Sequence, residues 1–107
     1  MSQNPSPLAC RLERLSEEQR QHEKSLLKFV REATPEIHEL PEGYELRFAN
    51  DSAGAVLIAE FITLERLCCP FFNFELHVEA EGGPVWLRLT GQHGVKEFLT
   101  QILNKGA

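Results

Sequence analysis

Two pairs of short alternating segments, each pair joined by a turn and each followed by a helix-periodic stretch, restrict this chain to very few folds. In the first pair, Glu36 to Leu40 is a strand candidate, Pro41-Glu42-Gly43 reads as a turn, and Tyr44 to Ala49 alternates with period two, pointing Tyr44, Leu46 and Phe48 inward. In the second, Phe72 to Glu81 sets Phe74, Leu76, Val78 and Ala80 against Asn73, Glu75, His77 and Glu79. Gly82-Gly83-Pro84 supplies the turn, after which Val85, Leu87 and Leu89 alternate with Trp86, Arg88 and Thr90.

The intervening segments have helical spacing. Ser16 with Gln19 fits a capping box that opens a helix from Glu17 to about Ala33, whose Leu26, Leu27, Phe29, Val30 and Ala33 line one side. Thr34-Pro35 ends it, because proline disfavours the helical conformation of the residue before it. Asn50-Asp51-Ser52 offers an N-cap for a second helix running to roughly Cys68, with Leu57, Phe61, Leu64 and Cys68 on one stripe. Gly91-Gln92-His93-Gly94 leads into a last helix bearing Val95, Phe98, Leu99, Ile102 and Leu103, and Gly106 fits its stop. That glycine-bearing loop lacks the lysine and the further glycines of phosphate cradles. The order, helix then strand-strand-helix twice, predicts an α+β two-layer sandwich with a four-stranded antiparallel-type sheet. A crossover between the second and third strands would make it resemble a permuted ferredoxin-like fold.

With 107 residues, the chain has one domain's worth of polypeptide. Residues 1-7 are polar with two prolines and read as a flexible tail, leaving 8-107 as a single α+β domain. Eleven Lys and Arg against sixteen Asp and Glu give a formal charge of -5 with no basic cluster, which argues against a nucleic-acid partner. The opening residues have no apolar targeting core and no apolar run is long enough to span a bilayer, so the expected location is cytoplasmic, with no membrane partner. Three cysteines without a secretory signal are then expected as reduced thiols.

The densest constellation is Glu65-Arg66-Leu67-Cys68-Cys69-Pro70-Phe71-Phe72. Cys68 falls on the core stripe, whereas Cys69 falls with Ile62 and Glu65 at its edge. A disulfide between the two is disfavoured, because adjacent Cα atoms stand about 3.8 Å apart and disulfides need about 4.4 Å or more. Arg66 would lower the Cys69 pKa, but Glu65 and the negative helix terminus would raise it, so a constitutively reactive nucleophile is not favoured. Metal coordination remains, since the ion itself supplies the charge that deprotonates thiols. Two thiolates suit a soft ion such as zinc, copper, mercury or arsenic, and Cys10 is the candidate third ligand. Glu65 and Arg66 would support the site from behind, and His22, His38, His77 and His93 are further donors. No Cys-x-x-Cys or His-x-x-x-His spacing marks an established zinc module.

Two other readings stand beside this one. Free cysteine packs as a small hydrophobe, in which case the function lies on the outer sheet face, where Arg47, His77, Trp86 and Arg88 form a candidate small-ligand or homodimer surface. Alternatively Cys69 is a redox or transfer thiol and the protein an enzyme. No catalytic residue is assigned on the leading reading.

Glu65 to Leu76, Glu-Arg-x-Cys-Cys-Pro-Phe-Phe-x-Phe-Glu-Leu, resembles the central motif of a family of short bacterial proteins described only as a domain of unknown function. Cys10-Arg11-Leu12 with Leu15 to Arg20 resembles that family's opening, and Gly82 to Gly91 its closing hairpin. The resemblance carries over Cys10, Glu65, Arg66, Cys68, Cys69 and Pro70. It implies no activity, but by including Cys10 in the pattern it favours a three-thiol site.

Overall fold

A computed structural model of the chain describes residues 10-33, 35-49 and 52-104. The expected tail, the Thr34 helix stop, the Asn50-Asp51 cap and the Gly106 stop lie outside them, as do the side chains of Ile102 and Leu103. A single helical turn at Leu12–Arg14 is followed by α1 (Glu17–Glu32), β1 (Glu36–Leu40), β2 (Gly43–Phe48), α2 (Ser52–Cys68), β3 (Phe72–Val78), β4 (Val85–Gly91) and α3 (Val95–Asn104). The four strands form one antiparallel sheet in the order β1-β2-β4-β3, giving the expected α+β two-layer sandwich.

Helix α1 starts where the sequence predicts, and for the predicted reason. Ser16 Oγ accepts from the Gln19 N–H at 3.1 Å and Gln19 Oε1 accepts from the Ser16 N–H at 2.9 Å, so two otherwise unpaired amide donors are satisfied. Its stripe is narrower than expected, with Leu26 and Val30 buried, Leu27 and Phe29 half-buried, and Ala33 exposed. It packs on α2 rather than across the outer sheet face.

The core lies between the sheet and the helices. Leu46, Phe48, Val85, Leu87 and Leu89 face Ile58, Phe61 and Leu64 of α2 and Val95 and Leu99 of α3, together with Leu26 and Val30. Leu87 is central, with Leu46 opposite it on β2 and Leu76 on β3. Tyr44 turns inward and exchanges a hydrogen bond of 2.6 Å with Thr100 Oγ1 of α3. At Gly43 the backbone passes so close to β4 that an added Cβ would sit 1.9 Å from the Leu89 carbonyl oxygen, a contact no side chain tolerates.

The third strand departs from expectation. It stops at Val78 rather than Glu81, and burial fades along its inner face from Phe72 through half-buried Phe74 to Leu76 and Val78, which are 37% and 56% exposed. Alternation fixed the side to which these residues point. Burial depended on whether a helix extends that far, and β3 is an edge strand.

Candidate functional site

The carboxyl end of α2 is pinned from two directions. Its last residue, Cys68, presents a carbonyl with no partner inside the helix, and the Arg11 N–H donates to it at 2.7 Å. Buried Leu15 and a hydrogen bond from Arg20 Nη1 to the Leu12 carbonyl hold the rest of the opening segment down. Beyond the helix, the Cys69 N–H donates to the Glu65 carbonyl at 2.6 Å, and Pro70 and Phe71 turn the chain into β3. The adjacent cysteines therefore sit at a helix-to-strand corner under an N-terminal clamp.

That clamp brings Cys10 to Cys69. Their Cα atoms are 4.9 Å apart and their sulfurs are joined in a disulfide, so the expectation of three reduced thiols is corrected. The physical reason is the Arg11-to-Cys68 backbone bond, which places residues 59 apart in sequence within ordinary disulfide range. Cys68 is left as a free, buried thiol, its Sγ 3.6 Å from that of Cys69 without being bonded to it. Cys69 is fully buried rather than at an edge, because it lies one residue past the helix and turns under the clamp. The three sulfurs all lie within 4.8 Å of one another.

Glu65 stands behind this cluster. It is only 8% exposed, its Oε1 is 3.6 Å from Cys69 Sγ, and its Oε2 is covered from solvent. Burial, then a side-chain hydrogen bond with Glu23 on α1 and the charge of that carboxylate, push the Glu65 carboxyl from its ordinary 4.5 up to about 9, where it stays protonated and donates to Glu23. The Cys68 thiol is pushed up to about 12, first by burial and then by Glu65 and Glu23, against a smaller opposing effect of a backbone hydrogen bond. Arg66, adjacent in sequence, is exposed and is not among the groups that set the Cys68 pKa. Sequence reading puts Glu23 on the solvated side of α1, whereas it is half-buried and meets Glu65; its place one turn before Leu26 and Leu27 was the available signal.

The histidines are elsewhere. His22 reaches Glu60 at 3.0 Å and His38 reaches Glu36 at 3.2 Å, while His77 and His93 are exposed. None belongs to the cysteine cluster.

The outer sheet face carries the second set of candidates. Trp86 is half-buried, with the Arg47 guanidinium 5.8 Å from its ring centre and the His38 ring edge-on at 6.0 Å, and its Nε1–H donates to Glu79. Arg88 donates to Glu45 at 2.9 Å and lies 3.7 Å from Glu75, its cross-strand neighbours on β2 and β3. His77, Trp86 and Arg88 thus line a shallow depression of about 300 Å3 whose charged groups are already matched across the strands.

No protein-family model, curated protein or solved structure matches the chain. Among the described residues, no helix is long and apolar enough to cross a membrane.

Proposed function

We propose that the protein, once reduced, binds a soft metal or metalloid ion through Cys10, Cys68 and Cys69, and that the Cys10–Cys69 disulfide is the oxidised form of this site. The observation that carries the reading is the convergence of three sulfurs within 4.8 Å, on three backbone positions held by the clamp and the helix end. Thiolates at the buried Cys68 and Cys69 are costly unless a cation compensates them, which is what a bound ion provides. A trivalent metalloid suits the surroundings best. Three thiols displacing three hydroxides from arsenite form three As–S bonds and release three waters, leaving no net charge beside Glu65 and Glu23. A divalent ion on three thiolates would leave one negative charge there. Zinc could recruit the Glu65 carboxylate as a fourth donor, but this would add a further negative charge.

The redox-enzyme reading has less support. Cys68 is the thiol nearest the disulfide, yet its raised pKa leaves very little thiolate at neutral pH, and its attack on Cys69 would create the disfavoured adjacent disulfide. A cytoplasmic setting fits the ion-binding reading, since cellular dithiols would supply the two electrons and two protons that open the Cys10–Cys69 bond.

The test is a thiol count on denatured protein, before and after reduction with a phosphine, followed by titration of the folded, reduced protein with arsenite, mercuric ion and zinc. The expected result is one thiol before reduction and three after, all three protected by one equivalent of arsenite, with weaker protection in Cys10→Ser. Three thiols that remain equally reactive at every concentration of all three ions would refute the proposal.

A further inference from the structure

Both outer strands of the sheet, β1 and β3, present an edge. β1 is a blunt one, with five residues and Pro35 just before it, whereas β3 has seven and contains neither proline nor lysine. The direction of the β3 backbone groups follows from the turn beyond it. The Glu79 N–H donates to the Pro84 carbonyl at 3.2 Å, and hydrogen-bonded residues alternate along an antiparallel ladder. In the register that sets Val78 against Val85, this turns Asn73, Glu75 and His77 toward β4 and leaves Phe74, Leu76 and Val78 facing outward. Among the described residues, no backbone hydrogen bond engages the outward groups of these three. Their side chains lie on the inner face of the sheet, where Leu76 and Val78 are exposed.

We propose that this edge pairs with β3 of a second copy of the chain, antiparallel about a twofold axis at Leu76, joining two four-stranded sheets into one. The strand's own sequence selects both the partner and the register. With Leu76 opposite the partner's Leu76, Phe74 faces the partner's Val78, so the outward backbone groups meet their counterparts and the exposed apolar side chains cover one another. On the other face Glu75 falls opposite the partner's His77, and the converse by symmetry, at non-hydrogen-bonded positions where side chains approach most closely. An imidazole N–H donates to a carboxylate whether or not the ring is charged. Other registers lose this match. Moving the axis to Glu75 opposes two Glu75 side chains, moving it to His77 sets Glu75 against the partner's Glu79, and moving it to Phe74 sets Val78 against the partner's Pro70, which has no N–H to give. The strip is narrow, so the association is expected in the micromolar range. It involves none of the cysteines and does not depend on ion binding.

The experiment is sedimentation equilibrium of the full chain over a range of concentrations, with backbone hydrogen exchange measured at the two extremes. The expected mass rises from 12.2 kDa toward twice that value, and the amides of Phe74, Leu76 and Val78 gain protection as it does. Leu76→Lys, which opposes two ammonium groups on the axis, and His77→Glu, which opposes carboxylates beside it, should each weaken association roughly tenfold or more. An equimolar mixture of His77→Glu with Glu75→Lys should restore it, because every carboxylate then meets an ammonium or an imidazole. If a variant does not fold, mass and exchange in the unsubstituted protein decide the matter. A monomer at every concentration up to about 1 mM would overturn the proposal. So would a dimer in which those three amides stay unprotected, one that persists in denaturant, or one that Leu76→Lys and His77→Glu leave unchanged. Protection of the three amides in a monomer would give the edge to another segment of the same chain and would overturn it as well. Failure of arsenite binding would leave it standing.

Discussion

The two faces of the sheet carry polar clusters of opposite character. On the outer face, Glu45, Arg88 and Glu75 follow one another across three strands, Arg47 lies over Trp86, and Trp86 donates to Glu79. Each group there has a partner and much of it has water. On the inner face, Glu65 is buried against Glu23, Cys68 is a free thiol without solvent, and both are pushed toward their neutral forms. Exposed ion pairs form at little cost and contribute little, whereas a buried carboxyl held against a second carboxyl costs stability and therefore calls for a reason. The outer cluster is explained by the sheet it decorates, and the inner one is not explained by packing alone.

Substitutions can break or sharpen this contrast. The largest expected effect is that of the covalent tie: Cys10→Ser should destabilise the oxidised protein by about 4 kcal/mol, the chain-entropy value for a loop of this size, read from denaturant midpoints. A loss no larger than that of an outer-face substitution would mean the inner cluster is not a structural anchor. Next is the core beneath it, where Leu87→Ala should cost about 3 kcal/mol by the same measurement, since Leu87 is fully covered between Leu46 and Leu76.

The pH dependence is smaller for each unit of pH. Between the unfolded value of 4.5 and the folded value of about 9, the native state holds a proton on Glu65 that the unfolded chain has lost. Its stability therefore falls as pH rises through that window, by up to about 1.4 kcal/mol per pH unit. Cys68 extends the fall above its ordinary 9.0. Glu65→Gln should flatten the decline between about pH 5 and about pH 8 in thermal melts; an unchanged slope would place the inner carboxyl on a par with the outer ones. The smallest effect belongs to the outer face, where Arg88→Ala should change stability by less than about 1 kcal/mol, diminishing further in salt. A loss of several times that amount would remove the distinction between the faces.

Much of the fold was legible because it rests on local periodicity. Leu46, Phe48, Leu87 and Leu89 alternate, Ser16 and Gln19 stand three apart, and these patterns need no knowledge of distant residues. The two-layer architecture followed from their order. What could not be read depends on partners far along the chain: the closeness of Gly43 to Leu89, the exposure of Leu76 and Val78, and above all the bond from Cys10 to Cys69. The candidate site was legible as residue types, since all three cysteines and Glu65 were singled out, but not as a redox state. Glu65 shared a helical row with Phe61 and Cys69. That row signals its burial and separates it from Arg66, which points away into solvent.

The tie between residues 10 and 69 also decides how the molecule would respond to being pulled. Tension applied at the two ends of the oxidised chain would bypass α1, β1, β2 and α2 and load only the segment from β3 onward, so that the second hairpin would be drawn out of its place beside β2 while the first half stayed slack. At about 3.6 Å per residue, the separation of 59 residues hides about 200 Å of contour from the applied force. In a single-molecule stretching record, that length would appear only after reduction, which makes extension a direct gauge of whether the sulfur cluster is closed or open.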